Sequence, residues 1–263
     1  MHNTLFVSNR YILFVGSGLD TAFHQHHAAQ ICLGLDAPFI LSLNQEKPQK
    51  YAFEAVIIAP DVEHLITAND TLVASLFIEI ESDEYSKILQ KWPLARDEYI
   101  RPLSLPVDFY DAFKRCNGQS QNAQTLSQLC ERMLAQLSGE KESRYAPEPR
   151  IQKVLNIIAS CRGRQLSVDE LADMVCLSPS RLIHLFKAEV GIPIRRYYLW
   201  RRIRVGIEHA VKHKNLTAAA HVAGFSDSAH FSNVFKKMFG IPPSLLTNSK
   251  RPTEVIFNDV EYK

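Results

Sequence analysis

One helical pattern occurs twice between Gln165 and Leu246, and this duplication constrains the fold more than any other feature of the chain. In the first copy, Ser167 precedes a short apolar helix and Glu170 follows three residues later, which is the spacing of a capping box. Ser178 followed by Pro179 then predicts the start of a second helix, and Gly191 predicts its end. The first copy is therefore expected to form two helices joined by a tight turn.

The second copy repeats this arrangement with different residues. Gly224 supplies the turn, Phe225 fills the corner, Asp227 caps the next helix and Gly240 ends it. The apolar residues of that helix recur at helical spacing, at Phe231, Phe235, Met238 and Phe239. Two helices joined by a short turn, the second with a polar exposed face, are typical of a helix-turn-helix motif, so the chain is predicted to carry two of them.

A basic segment joins the two copies and is also predicted to be helical. Ile194–Val211 would be about 27 Å long as a helix, whereas successive major-groove faces of B-DNA lie roughly 34 Å apart. The segment could therefore hold two recognition helices over adjacent grooves. Its arginines are expected to meet DNA phosphates rather than to form only a solvated helix face; they are Arg195, Arg196, Arg201, Arg202 and Arg204.

Charge divides the chain in the same place. Residues 151–250 contain 15 Lys and Arg against 6 Asp and Glu, whereas residues 1–150 contain 13 against 19. This asymmetry predicts that only the C-terminal half binds a polyanion.

The N-terminal 80 residues have the short apolar runs of a β-structure. Runs rich in Val, Ile, Phe and Leu alternate with Gly, Pro, Asn and Asp, which predicts a barrel or a sandwich. His24 and His26 have the same parity along an extended segment, so both are expected on one face, with Gln30 if no bulge intervenes, and His27 on the other. His64 follows a later strand and a turn.

Helices are expected beyond Asp83, and a polar, proline-containing linker at Gly139–Arg150. One predicted helix carries an apolar stripe, which either packs on its own domain or forms a seam between protomers; the stripe is Leu126, Leu129, Met133 and Leu137.

No run is long enough to span a membrane, and the five scattered cysteines suggest buried, reduced thiols. A cytoplasmic protein without membrane contact is therefore expected. The pattern of Glu254–Asn258 does not decide whether that stretch is a strand.

The motifs SPSRLIHLFKAEVG and AGFSDSAHFSNVFKKMFGIPPS resemble the AraC/XylS family of bacterial transcription regulators, over residues 151–250. The resemblance implies that Ser180, Ile183 and His184 of the first copy enter a DNA groove, as do Ser228, Ala229 and Asn233 of the second. Five neighbouring residues complete the expected DNA-binding set: Arg181, Lys187, His230, Lys236 and Lys237. This chain departs from the family pattern at His184 and Asn233, where Arg is frequent, and at Leu246 and Thr247, where a Tyr-Arg pair is common.

The segments GLDTAFHQHHAAQ and IIAPDVEH resemble the two motifs of the cupin barrel, a common sensor domain in these regulators. The resemblance implies an effector site at His24, His26, Gln30 and His64. The three histidines are also candidate ligands of a divalent transition metal, because imidazole suits such ions. Gln30 stands where metal-binding cupins have Glu, and Ala59 and Asp61 stand where Pro and Gly are expected.

The predicted architecture is α+β, with a cupin-like β-barrel with flanking helices followed by an all-α domain with two helix-turn-helix motifs. The boundaries are an effector-sensing, dimerising domain at residues 1–138, a linker at 139–150, a DNA-binding domain at 151–250 and a tail at 251–263. We expect a sequence-specific transcription regulator rather than an enzyme.

Its expected partners are double-stranded DNA, a small-molecule effector of unknown identity, a second copy of the chain and, as a further candidate, RNA polymerase. Two alternatives remain open: a cupin-type metalloenzyme with a DNA-binding appendage, and a DNA-binding protein without an effector.

Overall fold

A computed structural model of the chain describes residues 3–8, 11–17, 20–26, 28–69, 71–78, 82–92, 99–117, 121–139, 148–160, 166–190, 192–239, 242–247 and 253–258. Ten strands lie in these ranges. They are β1 (Asn3–Val7), β2 (Tyr11–Ser17), β3 (Ala29–Gly34), β4 (Phe39–Leu43), β5 (Gln49–Phe53), β6 (Ala55–Ile58), β7 (His64–Thr67), β8 (Leu72–Ile78), β9 (Ile100–Pro102) and β10 (Thr253–Phe257).

The described helices are α1 (Asp83–Lys91), α2 (Val107–Arg115), α3 (Ala123–Ser138), α4 (Pro149–Ser160), α5 (Val168–Met174), α6 (Pro179–Val190), α7 (Ile194–His213), α8 (Leu216–Val222) and α9 (Ser228–Phe239), with a short 3-10 helix at Pro243–Thr247. No helix in the described ranges has the length and apolar character needed to cross a membrane. The molecule is thus mixed α+β, with a sheet-rich N-terminal region and a helical C-terminal region, as the sequence predicts.

The strands form two sheets. The larger has the order β10-β1-β2-β8-β3-β6-β9, and the smaller has the order β5-β4-β7. Neighbouring strands are antiparallel except for β10, which pairs in parallel with β1 along its whole length. The prediction that the short apolar runs of the N-terminal 80 residues form β-structure is confirmed, for example at β2, β4 and β6. Since the described strands form two open sheets and no closed barrel, the cupin-like barrel stays a prediction.

Both faces of the large sheet are covered, and this explains why β2 is apolar in consecutive positions. Leu13 points towards the cluster built with α1, α2 and α3, whereas Ile12 and Phe14 belong to the cluster that contains the C-terminal helices. A strand covered on both sides has no solvent face and therefore shows no polar alternation. The smaller sheet packs against strands β3 and β6 of the larger sheet, on the face of the larger sheet that carries Cys32 and Val56.

The C-terminal strand β10 joins the two halves of the molecule. Its register with β1 runs from Asn3 opposite Thr253 to Val7 opposite Phe257, and the Asn258 amide donates to the Val7 carbonyl at 2.9 Å. The predicted separate tail is therefore, in its described part, an edge strand of the N-terminal sheet. Together with the shared apolar cluster, it places the C-terminal helices directly against the sheet.

The stripe on α3 is buried within the protomer, since Leu126, Leu129, Met133 and Leu137 are all part of the cluster under α1 and α2. It packs on its own domain, which was the first of the two interpretations.

Among the cysteines, Cys32, Cys116 and Cys130 are buried free thiols, but Cys176 is exposed, so the expectation of burial is wrong there. Cys161, His27 and most of the predicted linker lie outside the described residues.

Candidate nucleic-acid interface and histidine cluster

The first helical hairpin consists of α5 and α6 and follows the predicted capping. The Ser167 hydroxyl accepts from the Glu170 amide at 3.1 Å, and the Glu170 carboxylate accepts from the Ser167 amide at 2.8 Å. The Ser178 hydroxyl accepts from the Arg181 amide at 3.3 Å and so caps α6. These local bonds satisfy amides that the first turns of both helices leave free.

The second hairpin, α8 and α9, repeats the turn of the first. The Phe225 amide donates to the Ala220 carbonyl at 2.9 Å, as the Leu177 amide does to that of Ala172 at 3.0 Å. The residue directly before each donor has a left-handed backbone. It is Gly224 in the second turn, with φ 75°, and Cys176 in the first, with φ 55°. Glycine adopts this conformation without strain, so the second turn is easier to identify in the sequence than the first.

Asp227 caps α9. Its carboxylate accepts from the His230 amide at 2.7 Å and from the Ser226 hydroxyl at 3.1 Å. The backbone bond from His230 is the main reason why the pKa of Asp227 is lowered from its ordinary value. The cap is therefore a carboxylate at neutral pH, next to the positive end of the helix dipole.

The predicted DNA-binding side chains lie on the outer faces of α6 and α9. Ile183 is a large apolar residue with 43% of its surface exposed. The set is exposed except for Ser228, which is half-buried; its members are Ser180, Arg181, Ile183, His184, Lys187, Ser228, Ala229, His230, Asn233, Lys236 and Lys237. Neither helix turns this face inward against the protein.

Two of the five arginines on α7 serve the protein's own structure, so the expectation that all five meet phosphates is wrong for them. Arg202 donates to the carbonyls of Ala223 and Gly224 and lies over the Phe225 ring at 4.2 Å, where it holds the second turn. Arg204 is only 6% exposed. A run of arginines in sequence does not reveal which of them find carbonyl partners in the folded chain.

Arg204 binds the C-terminal strand. Its guanidinium donates to the Asn258 carbonyl at 2.6 Å, pairs with Glu208 at 3.1 Å and lies 5.1 Å from the Phe257 ring. The Asn258 side chain in turn donates to the Ser127 hydroxyl on α3 at 3.3 Å. These contacts fix the middle of α7 to β10 and hence to the sheet.

The predicted effector residues come together at the boundary between the sheets and α9. His24 and His64 form an isolated antiparallel bridge, and their rings lie 4.4 Å apart. The His26 ring is 5.5 Å from that of His24 and 5.1 Å from that of His64. Gln30 on β3 contacts the Nε2 atoms of His26 and His64 at 3.0 and 3.3 Å. All four residues therefore lie close together. The parity of the segment predicts this for His24, His26 and Gln30, and the resemblance to cupins implies it for His64.

Burial keeps these imidazoles neutral. Desolvation, followed by the neighbouring His24 and His26, lowers the pKa of His64 to about 3. Desolvation is also the largest cause of the lowered pKa of His26 and of His24, and the charge of Lys236 on α9 contributes for His24. One ring nitrogen from each of the three histidines could serve a metal ion, since these atoms lie within 4.8 Å of one another.

Comparison with known proteins identifies the helical region. Residues 171–249 match a family described as "Helix-turn-helix domain". A protein from Photobacterium leiognathi named "Probable transcriptional regulator LumQ" is 25% identical, over 84% of this chain and 90% of its own length. The "Arabinose operon regulatory protein" of Escherichia coli is 29% identical over 50% of this chain, which spans only 45% of that relative.

One solved structure resembles nearly the whole chain. It is ToxT from Vibrio cholerae with a bound unsaturated fatty acid, which has a TM-score of 0.51 and 12% sequence identity. The similarity covers 93% of this chain and 98% of that structure. At this identity the match indicates a common fold.

Proposed function

We propose that this chain, an AraC-type DNA-binding transcription regulator, uses both helical hairpins as helix-turn-helix motifs and places α6 and α9 of each protomer in adjacent major grooves. The carrying observation is that two helices with exposed polar faces are mounted on the single helix α7. With 20 residues, α7 is about 30 Å long, and successive groove faces lie roughly 34 Å apart. A single protomer could then bind about one full turn of DNA.

The two exposed faces suggest different contributions to sequence recognition. Asn233 offers an amide that suits adenine, and the hydroxyls of Ser180 and Ser228 can bond to several bases. Ile183 and Ala229 can contact only a thymine methyl group. Since few side chains here form bidentate bonds to bases, we expect a large share of the specificity to come from the shape of the DNA.

The remaining charged side chains of the set supply affinity that does not depend on sequence. Phosphate contacts are proposed for Arg181, Lys187, Lys236 and Lys237, with His230 at the groove edge, whereas His184 is proposed to enter the groove and contact bases. Because Arg202 and Arg204 are engaged inside the protein, the basic surface is smaller than the sequence count indicates. DNA affinity should nevertheless fall steeply with salt.

For the N-terminal half we propose an effector-sensing role, with the effector site at His24, His26, Gln30 and His64. The proposed division is a cupin-like sensing domain at residues 1–138, the linker at 139–150 and the DNA-binding domain at 151–250. The similar fold of ToxT, which carries a fatty acid in its structure, is compatible with a ligand site in this half. An effector alters DNA binding only if it binds two states of the protein unequally.

A homodimer acting with RNA polymerase in the bacterial cytoplasm is the assembly we propose. A surface other than the α3 stripe must then form the dimer seam, since that stripe is buried. The metalloenzyme alternative gains no support from the histidine cluster. A catalytic metal at this cluster would need an open coordination position beside His24, His26 and His64.

The test is a footprint of the full-length protein on genomic DNA, followed by fluorescence anisotropy on the protected duplex. We expect two protected stretches one helical turn apart for each protomer. Lys187→Ala should reduce the slope of log affinity against log salt by about 1. Thr217→Ala, an exposed change on α8 outside the proposed interface, is the matched control. Protection of a single groove, or a salt slope that Lys187→Ala leaves unchanged, would contradict the proposal.

A further inference from the structure

Each helical hairpin is preceded by a further helix, and these two preceding helices correspond to each other. α4 lies before the first hairpin, and the C-terminal part of α7 lies before the second. Four residues of α4 are buried, and the four residues that follow 49 positions later on α7 are buried as well: Ile151, Val154, Leu155 and Ile158 correspond to Trp200, Ile203, Arg204 and Ile207. The duplication therefore covers three helices in each copy.

A basic side chain on each preceding helix bonds to the end of the next helix. Lys153 of α4 donates to the carbonyl of Met174, the last residue of α5, at 2.9 Å. Arg202 of α7 donates through Nε to the carbonyl of Ala223, the C-cap of α8, at 3.0 Å, and through its second nitrogen to that of Gly224. Carbonyls at a helix end have no partner within the helix and form its negative pole, so a cation stabilises them there.

The contact in the second copy is the more rigid of the two. The planar guanidinium of Arg202 bonds to two carbonyls and lies over the Phe225 ring at 4.2 Å. Lys153 is exposed and bonds to one carbonyl through a compact charge on a flexible stem. Leu177 stands in the first turn where Phe225 stands in the second, since both amides donate across their turns. Arginine and an aromatic ring thus occur together in one copy, and lysine and leucine in the other.

The Phe225 ring connects the turn to the start of α9. It meets the rings of His230 and Phe231 edge-on at 5.2 and 5.3 Å. On α7, Gly206 lies one turn after Arg202 and allows the Phe231 ring to come close, because a Cβ atom at Gly206 would lie 2.5 Å from that ring. The start of α9 is therefore held between the turn and the backbone of α7.

We propose that Arg202 is a positioning residue for sequence recognition: by holding the second turn, it sets the orientation in which α9 presents Asn233 to a base pair. Lys153 has the same role, with less stiffness, for α6 and His184. The inference rests on the proposed function, since it concerns how the recognition helices are held. Paired hydrogen bonds to a base require both distances and angles to fit, so a small tilt of α9 weakens base discrimination. Phosphate contacts from long, flexible side chains tolerate such a tilt.

The test first assigns one base pair to each recognition helix. Fluorescence anisotropy of the full-length protein is measured on the footprinted duplex, with each base pair changed in turn. Asn233→Ala should abolish discrimination at the base pair read by α9, and His184→Ala at the base pair read by α6. These two base pairs then report separately on the two helices.

Arg202→Lys keeps the positive charge but cannot both bond to two carbonyls and cover the ring. It should lose about tenfold in discrimination at the α9 base pair and less than about twofold at the α6 base pair, since one base contact is affected. Lys153→Met should show the reverse pattern, with a loss of about threefold at the α6 base pair. A variant that is merely less stable would lose discrimination at both base pairs alike.

Two variants control for the loss of a charge. Arg201→Met removes the neighbouring arginine of α7, for which a phosphate contact is expected, and should weaken binding to every duplex by the same factor. Lys212→Met removes an exposed lysine of α7 and is the control for Lys153→Met. The salt dependence of Arg202→Lys should equal that of the wild type, because no phosphate contact is lost.

A second variant keeps the test decisive if Arg202→Lys is poorly folded by thermal unfolding. Phe225→Leu leaves the guanidinium and its carbonyl partners in place, removes the ring, and gives the second turn the residue found in the first. It should also lose discrimination at the α9 base pair and retain it at the α6 base pair.

Hydrogen exchange tests the turn without DNA. Arg202→Lys should speed exchange of the Phe225 amide, which donates to the Ala220 carbonyl, and leave the Leu177 amide of the first turn unchanged. Unchanged exchange at Phe225, full discrimination at the α9 base pair, or equal losses at the two base pairs would overturn the inference while the wild-type footprint stands. A wild-type protein that protects no DNA would overturn the proposed function, and this inference with it.

Discussion

The two helical hairpins share one turn geometry but are mounted differently. In the first, Phe186 of α6 packs edge-on against Tyr197 of α7 at 5.5 Å, within the helical region. In the second, Phe239 of α9 contacts both Trp200 of α7 and Phe77 of the N-terminal sheet. The two repeats therefore keep the same local hydrogen bonds, while α9 of the second also contacts the N-terminal sheet through Phe239 and Phe77.

The largest expected effect comes from removing the two equivalent aromatic side chains. Phe186→Ala and Phe239→Ala should each lower the free energy of unfolding by about 3–5 kcal/mol, because both rings are fully buried. Urea titration followed by tryptophan fluorescence measures this. Only Phe239→Ala should also speed hydrogen exchange of the β8 amides around Phe77. Equal exchange in the two variants would show that the second hairpin is not distinctively seated on the sheet.

The next effect concerns the strand that ties α7 to the sheet. Arg204→Met keeps an apolar stem but removes the bonds to Asn258 and Glu208, and it should cost about 2–3 kcal/mol, since bonds from a charged donor are the stronger ones. Limited proteolysis should then cleave near β10 sooner. Lys212→Met, an exposed change on the same helix, is the control. Equal cleavage rates would mean that Arg204 does not hold the strand.

A smaller effect is expected on DNA recognition. His184→Ala in the first hairpin and Asn233→Ala in the second should each lose about tenfold in preference for the footprinted site over random DNA, within the range for one base contact. Affinity for random DNA should change much less. Anisotropy on both duplexes measures the ratio, and equal losses on the two would assign these side chains to phosphate contacts.

Capping gives an effect of about 1 kcal/mol. Ser178→Ala removes the hydroxyl that accepts from the Arg181 amide at the start of α6, and N-cap losses are typically of that size. Thermal unfolding is the measurement, with Ser180→Ala, two residues further on and outside the cap, as the control. If Ser180→Ala lowered the stability as much as Ser178→Ala does, the assignment of Ser178 as the N-cap of α6 would be wrong.

The smallest expected effect distinguishes the cap of α9, Asp227, from the cap of α6, Ser178, because only the stabilisation by Asp227 should depend on pH. The lowered pKa of Asp227 means that its carboxylate stabilises the folded state above the unfolded pKa near 3.8. That stabilisation is lost as the pH falls through the lower folded pKa. Asp227→Asn keeps a good cap without this titration, so its unfolding should depend less on pH between 5 and 3. Parallel pH profiles for the two proteins would contradict the assignment.

The local elements of the DNA-binding region follow from the sequence because their causes are local. The capping box at Ser167 and Glu170 and the cap at Asp227 involve residues three apart. The exposed faces of α6 and α9 follow from helical periodicity. The parity of His24 and His26 likewise placed them on one side of the chain.

Only the tertiary structure decided which distant groups meet. Gln30 and His64 are 34 residues apart, and Arg204 and Asn258 are 54 apart. β10 pairs with β1 from the opposite end of the chain, although its pattern did not identify it as a strand. Strand pairing and the seating of α9 depend on which surfaces remain uncovered once everything else has packed. That information is distributed over the whole chain, so no short stretch of sequence contains it.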